Sequence, residues 1–180
     1  MLPILLACAH EPLASLQEAE VPGADVLRFD LVGSDRIDLI ESCFATCPHD
    51  EQDRPVASLT TWAVDWTWVR RPGEPCEVME PTVVVDVTVT LPRWTPPPDA
   101  DPALTAEWHT YLRALTHHEE GHVDLVHHLA DNTAARLVAA GCERAHASGA
   151  SMLDQIRTAQ RNYDDATGNG RTQGASFWGM

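Results

Sequence analysis

Lysine is absent from all 180 residues of the chain. That absence removes every mechanism built on a Schiff-base lysine or a phosphate-loop lysine. Positive charge is scarce altogether, since 12 arginines face 27 aspartates and glutamates for a formal net charge of −15. Such a balance repels phosphate backbones and anionic bilayers, so neither nucleic acid nor an acidic membrane surface is an expected partner. No apolar run approaches the roughly 20 residues needed to span a bilayer. Internal repeats and low-complexity tracts are missing too. A chain of this length is most simply one domain, long enough to bury a real core.

What the sequence holds in local excess is histidine. Five of its nine histidines fall within residues 116–129, which read T-H-H-E-E-G-H-V-D-L-V-H-H-L. Inside that stretch His118-Glu119-Glu120-Gly121-His122 fits the pattern H-E-x-x-H. Residues four apart on a helix share a face, so His118 and His122 can reach one Zn2+ ion together. Glu119 projects about 100° around the helix, where it can take the proton of a water that the metal polarises. This is the chemistry of a zinc-dependent metalloprotease, with a peptide or protein as substrate.

A histidine-rich polar surface can meet a five-residue pattern by chance. Against chance stands the apolar rhythm of Leu104, Trp108, Tyr111 with Leu112, Leu115, Leu125 and Leu129. His118 and His122 occupy the intervening steps, which places them on the inward stripe of the helix. Histidines on an inward face need partners, and a metal supplies one to both.

A catalytic zinc takes three protein ligands and keeps a position open. His118…His122…His128 has metzincin spacing, but Leu125 stands where that motif needs a helix-ending glycine. On an unbroken helix His128 would lie about 9 Å along the axis from His122, off its face. Glu143 lies at a distance that a glutamate-type site could use, yet it reads more simply as a solvated charge at a helix end. The remaining candidates are in Tyr163-Asp164-Asp165-Ala166-Thr167, which leads into a glycine-rich segment. Asp164 could supply an oxygen ligand there, and Tyr163 a hydrogen-bond donor to a developing oxyanion. The alternative is an exposed helix end, and the glycine-rich residues after it read either as a frayed tail or as a loop that must approach something closely.

Around this centre the chain reads as α+β, a small antiparallel sheet packed on the motif helix and a C-terminal helix. Alternation marks strands near 26–32, 60–69 and 82–91. Trp62, Val64, Trp66 and Trp68 share one face of the second strand, as core or as a substrate platform. Ser34 offers an N-cap for a short helix to about Ala45. Asp101-Pro102 opens the long helix, which should run to Gly141 with a weak point at Asp131-Asn132. Ser151 with Asp154 makes a capping box for the last helix.

Residues 1–23 read as an export leader and linker, and residues 24–180 as the zincin-like domain. Leu5-Leu6-Ala7-Cys8 resembles a bacterial lipoprotein cleavage site, after which Cys8 would carry a lipid anchor. The preceding apolar stretch is short and lacks the basic residues that open a signal peptide, so an ordinary apolar N-terminus stands beside that reading. The other four cysteines allow three pairings, of which Cys43–Cys47 with Cys76–Cys142 is favoured for an oxidising compartment.

Several short motifs in one order resemble a bacterial family of predicted secreted zinc-dependent proteases, a domain-of-unknown-function family with H-E-x-x-H. They are Leu31-Val-Gly-Ser34, Thr61-Trp-Ala-Val-Asp-Trp66, Cys76, Leu91-Pro-Arg-Trp94, Trp108, the 118–122 motif, Tyr163-Asp-Asp-Ala-Thr167 and Gln173-Gly-Ala-Ser-Phe177. The resemblance implies export to the cell envelope, zinc at His118 and His122, and Glu119 as general base. One position departs from the family pattern: Asn169 stands where the family carries histidine. If that histidine is the family's third ligand, this chain has lost it; if Asp164 is, the site is intact. A non-catalytic envelope lipoprotein with a structural or vestigial zinc is the second expectation, favoured by Asn169 and opposed by Glu119.

Overall fold

The computed structural model describes residues 20–73 and 75–177. Cys8 and the rest of the expected leader up to residue 19 lie outside the described residues.

Alternating β-branched and aromatic residues build three strands, β1 (Asp25–Leu31), β2 (Leu59–Arg71) and β3 (Glu77–Trp94), in the order β1-β3-β2. The α+β expectation holds. Strands β2 and β3 pair antiparallel, because only a short turn joins them. Strand β1 instead pairs parallel with β3, from Asp25↔Thr88 to Leu31↔Trp94. The sheet is therefore mixed, not antiparallel throughout. A helix and a long loop separate β1 from the ribbon, and such a connection leaves either strand direction open.

One face of the sheet carries Val83, Val85, Val87 and Val89 opposite Trp66, Val64, Trp62 and Thr60. Val87 and Val89 are buried while Thr82 and Asp86 across the pleat are exposed, as the alternation requires. The tryptophans are part-buried, and helix α4 (Ala145–Thr167) covers them in step. Trp68 meets His146 at a ring separation of 4.5 Å, and Arg157 lies over Trp62. A Cβ on Gly149 would stand only 2.2 Å from Trp66, so this helical glycine exists to admit the indole. The row packs under a helix.

Helix α1 (Arg36–Thr46) is capped by Asp35, whose carboxylate accepts from the amides of Ile37 and Asp38. Ser34, the expected cap, donates instead to Asp38 through its hydroxyl at 3.1 Å. Helix α2 (Pro102–Ala130) begins where Asp101-Pro102 predicts. The long helix does not run on to Gly141 unbroken. It stops at Asp131-Asn132 and resumes as α3 (Thr133–Ala140), which ends at Gly141 with φ 70°. Helix α4 starts at Ala145, so Ser151 is an exposed residue inside it and no capping box forms. Ala145, Ala147 and Ala150 favour helix, and the turn at 141–144 already supplies the boundary.

The core joins both layers through Trp94, Trp108 and Phe177, all essentially buried, with Trp108 edge-on to both partners. Val21 is 2% exposed and belongs to the same core. Both favoured disulfides are present: Cys43–Cys47 at the end of α1, and Cys76–Cys142, tying the start of β3 to the turn before α4. Among the described residues, no helix is long and apolar enough to cross a membrane.

Candidate metal centre

The buried seam of α2 runs Leu104, Trp108, Tyr111, Leu112, Leu115, His118, Glu119, His122, Val123, Val126 and Ala130. Beyond His122 it follows Val126 and Ala130 at four-residue steps, not Leu125 and Leu129, which are half-buried. His118 is 4% and His122 7% exposed. Helix α4 packs along α2 and lays Tyr163 and Asp164 over that pair.

Three ligand-capable atoms converge there. His118 Nε2 and His122 Nε2 are 3.2 Å apart, and Asp164 Oδ1 is 3.3 Å from the first and 3.0 Å from the second. A tetrahedral zinc with bonds of about 2.0–2.1 Å separates its ligands by roughly 3.3–3.4 Å. The triangle fits that edge length. Among the described residues, His118, His122 and Asp164 are the group able to hold a metal ion.

Protonation makes the same point. His122 Nδ1 faces Gln160 Oε1, while Gln160 Nε2 donates to the His122 carbonyl at 2.9 Å. A carbonyl only accepts, so the amide is oriented with its oxygen toward the ring, and Nδ1 carries the hydrogen. His118 Nδ1 meets Gln173 Oε1 at 2.9 Å while Gln173 Nε2 reaches the Tyr163 hydroxyl, and with the amide placed so this Nδ1 carries the hydrogen as well. Both Nε2 atoms then present lone pairs to each other and to a carboxylate. Three acceptors facing one point call for a cation, either a proton or a metal.

Without metal, the proton answers. Burial works against a charged His122, yet its bond to Asp164 and the charges of Glu119 and Asp164 outweigh that and raise its pKa above the ordinary value. For Asp164, burial pushes the other way, but the bonds from both histidines hold its carboxyl well below the usual range.

Tyr163 stacks on His118 at 5.1 Å with an interplanar angle of 11° and stands edge-on to His122 at 4.9 Å. Its hydroxyl accepts from Gln173 Nε2 at 3.1 Å, which leaves its own proton for another acceptor. The glycine-rich segment is no frayed tail. After the left-handed Gly168 and Asn169, Gly170 packs so closely on His118 that a Cβ would lie 2.9 Å from its Cγ. Asn169 is exposed, and its backbone amide closes on Asp164 O at 2.8 Å.

Glu119 is 3% exposed and turns toward the sheet. Ser58 and Thr60 donate their hydroxyls to its two oxygens, Thr60 at 2.6 Å. His128 is exposed on the outer side of α2 beside Asp124, and Glu143 is exposed in the turn before α4, so neither joins the cluster.

Sequence reading missed Gln160, Gln173, Ser58 and Thr60. A signal for Gln160 was present, since it sits one turn from Ile156 and from Asp164 on the inward stripe of α4. Gln173 opens the motif Gln173-Gly-Ala-Ser-Phe177 but carries no role there, and nothing local marks the two hydroxyls, which lie outside helical periodicity.

No curated protein and no solved structure matches the chain. Residues 26–171 match a family described as "Bacterial protein of unknown function (DUF922)", and the chain belongs to that family.

Proposed function

We propose that this protein is an exported zinc-dependent peptidase of the bacterial cell envelope. The observation that carries the reading is the triangle of His118, His122 and Asp164 at zinc-ligand spacing, with both Nε2 lone pairs turned inward. When bound there, zinc would supply Lewis acidity, polarising a peptide carbonyl and easing the deprotonation of water.

The chain's own groups supply the rest. Glu119 follows the first ligand on the same helix and acts as the proton acceptor. Each of its carboxylate oxygens has two acceptor positions, so one hydroxyl on each leaves capacity for a proton. Tyr163 keeps its phenolic proton available and is the donor to a developing oxyanion. The two disulfides support a mature protein in an oxidising compartment. Attachment through a lipid on Cys8 completes the proposal.

A second reading is a non-catalytic envelope module with a structural or vestigial metal site. The buried, doubly bonded carboxylate of Glu119 favours it, because such a group can serve mainly to pin α2 to β2.

Metal content and turnover separate the two. The purified domain is expected to bind one zinc, lost in His118→Ala, His122→Ala and Asp164→Ala but kept in His128→Ala. Glu119→Gln should retain zinc and lose the release of new amino termini from a denatured protein substrate. A folded wild type that binds no zinc sinks the peptidase and leaves a non-catalytic module with a vestigial site. Zinc binding with no turnover difference between wild type and Glu119→Gln leaves the structural module.

A further inference from the structure

Nothing in the H-E-x-x-H pattern says how its two imidazoles are held. Each ring needs its Nδ1 side anchored, because a histidine free to rotate or to swap tautomer presents its ligand nitrogen only part of the time. Here both anchors are side-chain amides. Gln160 grips His122 twice, at Nδ1 through its oxygen and at the backbone carbonyl through its nitrogen. Gln173 reaches His118 Nδ1 with its oxygen and Tyr163 Oη with its nitrogen.

Each amide is thus tied at both ends: Gln160 cannot turn over without setting its oxygen against the His122 carbonyl, and Gln173 is held between His118 Nδ1 and the Tyr163 hydroxyl. The surroundings preserve that arrangement. Gly170 lies against His118 with no room for a side chain, which brings the loop holding Gln173 down onto the ring. Gln160 stands on α4 one turn before Asp164, so one helix delivers both the third ligand and the anchor of the second.

We infer that Gln160 and Gln173 are positioning residues that lock His122 and His118 in the Nδ1–H tautomer and thereby preorganise the metal triangle. This inference rests on reading the centre as a zinc site, but the tautomers can be tested without metal. A neutral amide accepts the Nδ1 hydrogen without adding charge. The set of two histidines and one aspartate therefore carries a single negative charge, with none contributed from behind the rings. The loop 168–174 then belongs to the metal site as much as the motif helix does.

The test begins with long-range 1H–15N correlation spectra of the metal-free protein, at a pH where one proton still occupies the triangle of His118, His122 and Asp164. Wild type should show Nδ1–H for His118 and His122. Zinc affinity is then measured by chelator competition for wild type and for Gln160→Leu, Gln173→Leu, Gln160→Glu and Gln173→Glu. Each leucine variant should mix tautomers at its own histidine and weaken zinc about 10–100-fold. The glutamate variants keep an acceptor at Nδ1 and should recover part of that loss, less for Gln160→Glu, which gives up the donor to the His122 carbonyl. They also keep the test available if a leucine variant fails to fold.

Nε2–H tautomers in wild type would overturn the inference. So would leucine variants that bind zinc as tightly as wild type, or folded glutamate variants that lose the Nδ1–H signal. A wild type with Nδ1–H tautomers but no zinc affinity would overturn the peptidase reading while leaving the lock in place.

Discussion

The hydroxyl of Tyr163 occupies the space where a side chain on Gly121 would begin: a Cβ there would stand 2.2 Å from Tyr163 Oη. Gly121→Ala should therefore drive the Tyr163 ring off His118. Alanine gains about 1 kcal/mol of helix propensity over glycine, but overpacking a fixed ring costs typically 1–3 kcal/mol. The ring is held by two histidines and Gln173, so the second effect should win. Thermal or urea unfolding is expected to show net destabilisation, with weaker zinc binding. An equally stable variant with unchanged zinc affinity would mean that the ring has room to move.

Tyr163→Phe separates two roles for the phenol. The ring stack on His118 survives the change, and only the hydroxyl is lost. Loss of an oxyanion donor is expected to lower kcat by about 10²–10³-fold while zinc affinity changes little. A drop in zinc affinity with kcat intact would assign the hydroxyl to holding Gln173.

Zinc affinity should fall with acidification, starting near neutral pH. His122 has a raised pKa without metal, so protons compete for Nε2 above the ordinary histidine range of about 6.5. Asp164, held well below its usual value, stays charged throughout that window. One displaced proton gives about tenfold per pH unit below the His122 pKa. Stability of the metal-free protein should show the opposite sign. The raised His122 pKa adds stability that is complete below about pH 6.5 and lost as pH rises through the folded value. Chelator competition and denaturant titrations across pH 5.5–8.5 check both slopes.

Removing the two disulfides should have unequal effects. Cys76 and Cys142 are 66 residues apart and Cys43 and Cys47 only 4. Loop-closure entropy alone predicts losses of about 4 and about 2 kcal/mol, respectively. Paired alanine variants unfolded in urea test this order, and an equal loss would point to contacts in the folded state.

Much of the fold was legible because its signals are local. The β2 and β3 alternation, the Asp101-Pro102 start of α2 and the weak point at Asp131-Asn132 each rest on backbone or side-chain preferences within a few residues. Three expectations failed, two where a distant partner decided and one where neighbouring cap residues competed. Parallel β1 depends on how its connection enters the sheet. The early start of α4 lets Gly149 take up Trp66, a contact between residues 83 positions apart in sequence. Asp35 caps α1 with its own carboxylate, and Ser34 turns to Asp38 instead.

The sequence by itself determined the two histidines one turn apart and the carboxylate beside them, because helix periodicity converts that spacing into a shared face. It also pointed to Asp164 as a third ligand while leaving other residues open. Only the tertiary structure decided what completes the triangle, by crossing α4 over α2 and bringing Asp164 within 3.3 Å of both nitrogens. It alone brought Gln160 and Gln173 to the far sides of the rings and left His128 and Glu143 outside. Ligand spacing along one helix is a local property of the chain. Which way an imidazole turns depends on a partner 38 or 55 residues away, and no local rule carries that information.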